Sequence, residues 1–313
     1  RFTRICSRFL WALVQYPPSR LSGSPLFFKM ARSVGGDDMN VHVMRWVCLV
    51  VCLGSINCSG AWRLVWSDEF DYEGLPDPAR WTYEEGFVRN EEAQYYTRAR
   101  KENARVENGM LVIEGRRESF PNPRYREGAR SWQRQRKSAS YTAASITTEG
   151  KSAWRYGRIE VRAKLPEGLG VWPAIWMLGE NHRTVGWPRC GEIDIMEFVG
   201  HDPSLIHGNA HYHAEGEHRS DHGKLKTEAP HDDFHVYAIE WDENRLAFFF
   251  DETRYHVVTL DQAGEGADNP FRKPQYLLIN LALGGTWGRE IDDSIFPQKY
   301  LVDYVRVYEE TEE

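Results

Sequence analysis

The chain has 313 residues, 41% of them hydrophobic, and its 39 Lys and Arg against 46 Asp and Glu give a net charge of −7. Residues 1–61 hold seven basic and two acidic residues, so the net charge of residues 62–313 is −12. An acidic protein is not drawn to nucleic acid or to an anionic membrane surface, and a neutral substrate is favoured. Because only Cys190 lies outside residues 1–61, the rest of the chain depends on a hydrophobic core and not on disulfides.

The first 61 residues have the order of a targeting signal. Arg45 precedes the apolar run WVCLVVCLGSI (46–56), and small residues follow up to Ala61, as at a cleavage site. The run is shorter than the roughly 20 residues that a membrane-spanning helix needs, so no stable membrane insertion is expected. We predict an upstream extension and secretory signal peptide over residues 1–61, and a secreted or periplasmic protein. Cys58 leaves a lipid-anchored form as the alternative.

After residue 62 the hydrophobic pattern has mostly a period of two, as in β-strands. In RIEVRAKL (158–165) four apolar residues alternate with four charged ones, and LVDYVRVYE (301–309) is similar. Three further strand candidates between residues 235 and 260 are joined by tight turns, as in a meander.

Two apolar runs are longer, WPAIWML (172–178) and QYLLINLALGG (275–285), as expected for strands covered on both sides. The only helix expected is a short one near residues 269–273. We therefore predict a single all-β domain over residues 62–313, a β-sandwich (jelly roll) of two packed antiparallel curved sheets with a concave cleft.

Three carboxylates lie within six residues of GEIDIMEFVG (191–200): Glu192, Asp194 and Glu197. Their neighbours are large and apolar, and inward-facing carboxylates are costly unless they are paired or functional. On a regular strand Glu192 and Asp194 share one face while Glu197 points to the other. One extra residue absorbed as a β-bulge would return Glu197 to that face, with Met196 turned away.

Closely spaced carboxyl pairs are the machinery of retaining glycoside hydrolysis, in which they lie about 5–5.5 Å apart. Alternate residues on one strand face are roughly 6.6 Å apart at the backbone, so their side chains can converge. Crowding three like charges also raises the pKa of at least one, as a general acid at neutral pH requires. Sugar rings stack on aromatic faces, and Trp172 and Trp176 would share one face of a strand. Such a pair is more often part of a core, but beside an acid cluster a sugar platform is favoured.

The chain from about residue 62 to 310 resembles glycoside hydrolase family 16, and within it the laminarinase-like β-1,3-glucanases. The pattern E-x-D-x-x-E after a WPAIWML strand is highly specific. The segments that carry the resemblance occur in the family's order: LVWSDEF (64–70), NEEAQYYT (90–97), YGRIEVRAKLPEGLGVWPAIWML (156–178), GWPRCGEIDIMEFVG (186–200), LLINLALGG (277–285) and VDYVRVY (302–308).

The resemblance implies an endo-acting hydrolase of internal β-1,3 bonds in laminarin-like β-glucans, which works by double displacement and needs no cofactor for catalysis. Glu192 is implied as the nucleophile and Glu197 as the acid and base. Asp194 is implied as the acid that hydrogen-bonds the nucleophile and tunes it. The expected partner is the polysaccharide alone, bound by a monomer, with no nucleic acid.

The resemblance also implies substrate contacts. Trp172 and Trp176 would form the aromatic walls of the glycone subsites, with Asn90 and Glu92 as polar contacts. The family commonly has Asn-Asn-Glu-Leu where this chain has Asn-Glu-Glu-Ala, which leaves these two polar assignments open. His211 would lie beside the leaving-group side. Trp187, in the segment that precedes the catalytic strand, is a further candidate.

The family often binds one structural calcium on the convex face. Glu69, Gly109 and Asp303 are the matching positions, and they offer the carboxylate and carbonyl oxygens that calcium prefers. A different metal is suggested by the histidine spacings of HYHAEGEHRSDHG (211–223), which are similar to those of zinc ligands. We interpret that stretch as a strand followed by an acidic loop and not as a metal site.

One segment departs from the strand pattern, the basic stretch PNPRYREGARSWQRQRK (121–137). It is either a solvated connecting loop or a loop that folds over the sugar site and offers Trp132 and Arg136; the sequence leaves both open. Its charge keeps a sulfated galactan in view as substrate. The alternatives are therefore another polysaccharide (agarose, carrageenan, porphyran or mixed-linkage glucan) or a non-catalytic glucan-binding protein. Met196 argues against a strict mixed-linkage enzyme, and the three carboxylates argue against a mere binding protein.

Overall fold

The computed structural model describes residues 61–311, so residues 1–60 of the predicted extension and signal peptide lie outside the described residues. The strands are β1 Trp62–Asp68, β2 Thr82–Tyr83, β3 Gln94–Tyr96, β4 Ala104–Glu107, β5 Met110–Pro121, β6 Ser138–Ala143, β7 Ser145–Thr147, β8 Gly157–Lys164, β9 Val171–Gly179, β10 Glu192–Glu197, β11 Leu205–Ala214, β12 Glu217–Lys226, β13 His235–Trp241, β14 Arg245–Phe250, β15 Thr253–Thr259, β16 Gln275–Leu283 and β17 Gln298–Glu310. The helices are α1 His182–Val185, α2 Gly285–Gly288 and the 3-10 helices Trp132–Arg134, Leu260–Ala263, Gly266–Asp268, Pro270–Arg272 and Asp293–Ile295. Within residues 61–311 no helix is long and apolar enough to cross a membrane.

The strands form two sheets. The larger has ten strands in the order β15-β14-β13-β8-β17-β5-β6-β3, with β1 added to β17 and β4 to β5. The smaller has seven, in the order β12-β11-β10-β9-β16-β7-β2. The pairings are antiparallel except that β3 runs parallel to β6. The predicted all-β sandwich is therefore confirmed, and β17 lies in the middle of the larger sheet between β8 and β5.

Strand β8 shows how the alternating sequence builds the core. Ile159, Val161 and Ala163 are fully buried between the sheets. On the opposite face, Arg158 forms ion pairs with Glu160 of the same strand, at 2.6 Å, and with Glu240 of the neighbouring β13, at 2.8 Å. Burying an aliphatic side chain contributes about 1.5–3 kcal/mol, so the apolar face of β8 fixes which side meets the other sheet.

The two longer apolar runs form β9 and β16, and both are covered on two faces as predicted. All nine residues of β16 are buried. In β9, Ile175 and Met177 belong to the core between the sheets, whereas Trp172 and Trp176 belong to separate small clusters on the opposite face. The outer face of the seven-stranded sheet is therefore aromatic where it carries β9.

Two local expectations have different outcomes. The short helix expected near residues 269–273 is the 3-10 helix Pro270–Arg272, where the Asn269 side chain accepts the N–H of Phe271 at 2.9 Å. The acidic loop predicted after β11 is wrong, because residues 217–226 form β12 and pair with β11 over ten residues. β12 is an edge strand whose charged residues face solvent on both sides, so it lacks the apolar alternation that marks a strand.

Candidate active site

A cleft of about 940 Å³ lies over the outer face of the seven-stranded sheet. Glu192, Asp194 and Glu197 of β10 all line it, together with Trp172 and Trp176 of β9. The predicted arrangement, in which all three carboxylates face one cleft, is therefore what the structure shows.

A β-bulge in β10 brings the third carboxylate to this face. Asp194 lies opposite Trp176 of β9, but the next pair joins Met196 to Ile175, which leaves Ile195 as the extra residue. The pairing of β10 with β11 shifts at the same place. Ile195 and Met196 are both fully buried in the core. The predicted bulge, with Met196 turned away from the cleft, is confirmed.

Burial dominates the electrostatics of the three carboxyls. Burial, and then the negative charge of Asp194, raises the pKa of Glu192 to about 8. Burial also raises the pKa of Asp194, and it raises the pKa of Glu197 well above its ordinary range. Two neighbours oppose the shift at Glu192, because the charges of His211 and Arg89 favour its ionised form. Burial therefore shifts all three carboxyls toward their protonated forms, which is the direction that a general acid needs.

Both tryptophans of β9 are fixed by hydrogen bonds from their indole N–H groups. Trp172 Nε1 donates to Glu197 Oε1 at 3.0 Å, and Trp176 Nε1 donates to Asn280 Oδ1 at 2.7 Å. The Trp172 ring also meets the edge of Trp287 of α2, with ring centroids 5.4 Å apart. Each tryptophan is thus held in one orientation at the cleft wall, where the small exposed part of its ring can contact a sugar ring.

The predicted polar contacts Asn90 and Glu92 lie on the cleft wall. Asn90 has a left-handed φ of 55°, and its carbonyl accepts the N–H of Thr286 at 2.9 Å. Glu92 is only 2% exposed and accepts a hydrogen bond from Gln94 Nε2 at 2.7 Å. Burial raises the pKa of Glu92. Asn90 is therefore freer than Glu92 to contact a ligand.

Trp187 and His211 lie close to Glu192. Trp187 is 53% exposed, lines the cleft, and has its ring centroid 6.0 Å from that of His211. His211 lies opposite Glu192 in the register of β10 with β11, and its Nε2 is 3.3 Å from Asp194 Oδ2. The structure thus places His211 against the carboxylates themselves.

The basic segment 121–137 folds against the cleft, but not through the two residues singled out from its sequence. Arg136 lies 5.1 Å from the Phe87 ring centroid and 5.8 Å from that of Trp132, and it donates to the Glu92 carbonyl at 3.2 Å. Trp132 packs in the same small aromatic cluster as Phe87. These two residues hold the loop in place behind the wall. The cleft itself is lined by their neighbours Arg124, Ser131, Gln133 and Arg134.

The three positions matched to calcium do not fit that ion as they are arranged. Glu69 is ion-paired with Arg306 at 2.7 Å, and Asp303 with Arg162 at 2.6 Å. Calcium takes about six to eight oxygen ligands, and a guanidinium on each carboxylate would repel it. Gly109, with φ of 73°, lies in the turn between β4 and β5.

Several residues of the cleft were not predicted from the sequence. The Arg89 guanidinium lies 4.7 Å from the Trp176 ring centroid and is ion-paired with Glu84, which also lines the cleft. Asn280 anchors Trp176 from the fully buried β16. The available signal was weak: Arg89 directly precedes Asn90, and Asn280 is a polar residue inside an apolar run.

Buried carboxyls whose pKa is raised, beside aromatic side chains in an open cleft on a β-sandwich, are the features of the active site of a glycoside hydrolase. Comparison with known proteins narrows the class. The sequence profile described as "Glycosyl hydrolases family 16" matches residues 91–306.

Proteins with similar sequences agree with that match. A β-glucanase of Rhodothermus marinus is 45% identical over 262 residues, which cover 79% of this chain and 85% of that protein. A glucan endo-1,3-beta-glucosidase of Cryptopygus antarcticus is 37% identical over 250 residues, 75% of this chain and 86% of that protein. The crystal structure of the Rhodothermus marinus laminarinase superposes with a TM-score of 0.70 and 45% identity, covering 81% of this chain and 100% of that one. The chain therefore belongs to glycosyl hydrolases family 16.

Proposed function

We propose that this protein is a retaining endo-β-1,3-glucanase that cleaves internal bonds of laminarin-like glucans. The observation that carries the proposal is the bulge in β10, which sets Glu197 on the same cleft face as Glu192 and Asp194. The tryptophan faces beside these carboxyls suit a neutral sugar polymer. The β-1,3-glucan substrate is supported by the names of the similar glucanases.

Glu197 is the general acid and Glu192 the nucleophile in this proposal. Burial raises the pKa of Glu197 well above its ordinary range, so it enters the reaction protonated, and the Trp172 N–H orients its carboxyl. The neighbouring charges of His211 and Arg89 favour the carboxylate form of Glu192. In this assignment Glu197 is the proton donor, and Glu192 reacts through its ionised form, which His211 and Arg89 favour against the effect of burial.

The reaction then proceeds in two displacements. In the first, a Glu192 oxygen bonds to the anomeric carbon as the glycosidic C–O bond breaks, and Glu197 gives its proton to the leaving oxygen. In the second, Glu197 takes a proton from water, whose oxygen bonds to the anomeric carbon and releases Glu192. The negative charge of Asp194 raises the pKa of Glu192 and so makes the Glu192 carboxylate a better nucleophile in the first step. The same charge makes Glu192 a poorer leaving group in the second step, unless Asp194 is protonated. A proton held by the buried Asp194 assists the second step.

The test measures release of reducing ends from laminarin, lichenan, agarose and carrageenans by the wild type and by Glu192→Ala and Glu197→Gln. The wild type should act best on laminarin, and each variant should lose hydrolysis while still binding the polymer. Glu91→Gln, at an exposed turn, is the control and should retain activity. Undiminished hydrolysis in either active-site variant would refute the assigned roles, and preference for another polymer would refute the substrate.

We further propose that the protein acts outside the cytoplasm as a monomer. Support for the location is the signal-like order of residues 1–61, and a polymer too large to enter a cell is suited to an exported enzyme. N-terminal sequencing of exported protein tests the first point, and size-exclusion chromatography with light scattering tests the second.

A further inference from the structure

Two side chains of the catalytic strand and one of the strand beside it form a compact group of metal-type ligand atoms. Glu192, Asp194 and His211 each offer one such atom, and these atoms lie within 4.8 Å of one another. His211 Nε2 is 3.3 Å from Asp194 Oδ2 and 3.8 Å from Glu192 Oε1. The group mixes an imidazole with carboxylates, which is the ligand set of many zinc sites.

The buried oxygen Asp194 Oδ2 distinguishes this group from an ordinary cluster of charged residues. The Asp194 side chain is only 5% exposed, and Oδ2 has no hydrogen-bond partner among the described residues. It faces the Nε2 atom of His211. A buried carboxylate oxygen without a partner is costly, and such an exception calls for an explanation.

The neighbours of His211 explain why this oxygen lacks a partner. His218 Nε2 is 2.9 Å from His211 Nδ1, and Asn209 Nδ2 lies 3.0 Å from His211 Nε2. Both contacts fit the tautomer that carries its proton on Nδ1, in which the Nε2 lone pair accepts the Asn209 amide N–H. In that tautomer Nε2 has no proton to donate to Asp194 Oδ2, and a cation bound between these two atoms, in place of the Asn209 contact, would satisfy both.

The two separations from His211 are close to those between ligand atoms of a transition-metal ion. Zinc binds His nitrogen and carboxylate oxygen at about 2.0–2.2 Å in tetrahedral geometry, which places two ligand atoms about 3.3–3.5 Å apart. The His211–Asp194 separation of 3.3 Å needs no movement, and the 3.8 Å to Glu192 needs little. The bond between His211 and His218 also has the form of the outer support that metal-binding histidines use.

We propose that Glu192, Asp194 and His211 form a binding site for one Zn²⁺-class ion, and that the bound ion switches off hydrolysis. An ion held by Glu192 occupies the oxygen that must attack the anomeric carbon. The inhibition rests on the proposed function, whereas the binding does not.

A neighbouring histidine pair provides a matched control. His207 Nδ1 and His222 Nε2 are 3.0 Å apart on the same two strands, β11 and β12. Burial lowers the pKa of both histidines, and the positive charge of the nearby Lys224 lowers it further. The same charge disfavours the binding of a second cation beside this pair. A zinc ion should therefore choose His211 over the pair formed by His207 and His222.

The experiment titrates the full chain with Zn²⁺ alone at pH 7.5 by isothermal calorimetry, after removal of metals with a chelator. The wild type should bind one tight equivalent. Loss of outer support in His218→Phe should weaken binding about 10- to 100-fold, and His211→Ala or Glu192→Gln should weaken it by more. His222→Ala should leave the affinity unchanged. Thermal unfolding of each variant checks that it is folded, and His211→Gln replaces His211→Ala if the latter is not.

Tight binding that survives in His211→Ala and Glu192→Gln, or that disappears in His222→Ala, would overturn the site, as would no binding by the wild type. In parallel, laminarin hydrolysis by the wild type should fall in step with zinc occupancy and return when a chelator is added. Full activity at full occupancy would overturn the inhibition alone. If the wild type hydrolyses no polysaccharide, the proposed function fails, but the calorimetry still decides the metal site.

Discussion

Replacing Glu192 with Gln should make the fold more stable relative to wild type as the pH rises. Burial, followed by the charge of Asp194, raises the pKa of Glu192 from 4.5 to about 8. A carboxyl with a raised pKa stabilises the fold fully below its unfolded pKa. That contribution is lost between about pH 4.5 and pH 8, because the unfolded chain releases its proton first. Gln carries no such proton, so the variant escapes the loss.

The size of the effect follows from the shift. At about 1.36 kcal/mol per pKa unit, a shift of roughly 3.5 units sets a ceiling of about 5 kcal/mol. The Glu192 side chain is 19% exposed, so solvent offsets part of this, and we expect on the order of 2 kcal/mol. The free energy of unfolding of the variant, minus that of wild type, should increase by this amount from pH 4.5 to pH 8.5.

Urea unfolding followed by tryptophan fluorescence at pH 4.5, 6.5 and 8.5 measures this difference. Glu91→Gln, at an exposed turn, is the matched control and should differ from wild type by the same amount at each pH. A difference for Glu192→Gln that is constant across the three pH values would refute the reasoning, because it would mean that folding does not change the proton affinity of this carboxyl.

Three other perturbations test separate parts of the site. Trp176→Ala should raise KM for laminarin about tenfold, with a smaller change in kcat. The reason is that an aromatic contact contributes about 0.5–1.5 kcal/mol to binding. An unchanged KM would exclude stacking of a sugar ring on Trp176. Deleting Met196 should straighten β10 and still leave Glu197 on the face of Glu192, because Asp194 and Glu197 are then two residues apart; the folded variant should keep reducing-end release, whereas a folded but inactive deletion variant would contradict the bulge. Asn122→Ala removes two hydrogen bonds of 2.9 Å that hold the loop 121–137. The free energy of unfolding should therefore drop by about 1–3 kcal/mol, and proteolysis in the loop should become faster. An unchanged rate of cleavage would show that other contacts hold the loop.

Much of the fold could be predicted because apolar and charged residues alternate along many of the strands. Ile159 and Val161 in β8 mark a half-buried strand without ambiguity, and two large apolar runs mark strands covered on both faces. The bulge was predictable for a chemical reason. Glu197 is useful only on the face of Glu192, and a regular strand cannot place it there.

The rest depends on contacts between distant segments that leave no local pattern. Arg89 contacts Trp176, which lies 87 positions further along the chain, and no sequence periodicity predicts such a contact. Which arginine lies beside Glu69 or Asp303 depends on how β1 and β17 pair with their neighbouring strands. The register of that pairing cannot be predicted from the composition of a strand. For Trp132 the sequence left a solvated loop and a sugar contact both open, and its packing against Phe87 depends on a contact between distant segments.

The position of β17 has a consequence for how this protein is made. Residues 298–310 hydrogen-bond to β8, β5 and β1, so the middle of the ten-stranded sheet stays open until they have left the ribosome. A nascent chain that ends short of residue 298 exposes the edges of β5 and β8 at once, and exposed edges recruit other chains. This sheet is therefore expected to close only after residues 298–310 have been synthesised. Ribosome-stalled chains that end before β17 should be protease-sensitive and should bind chaperones.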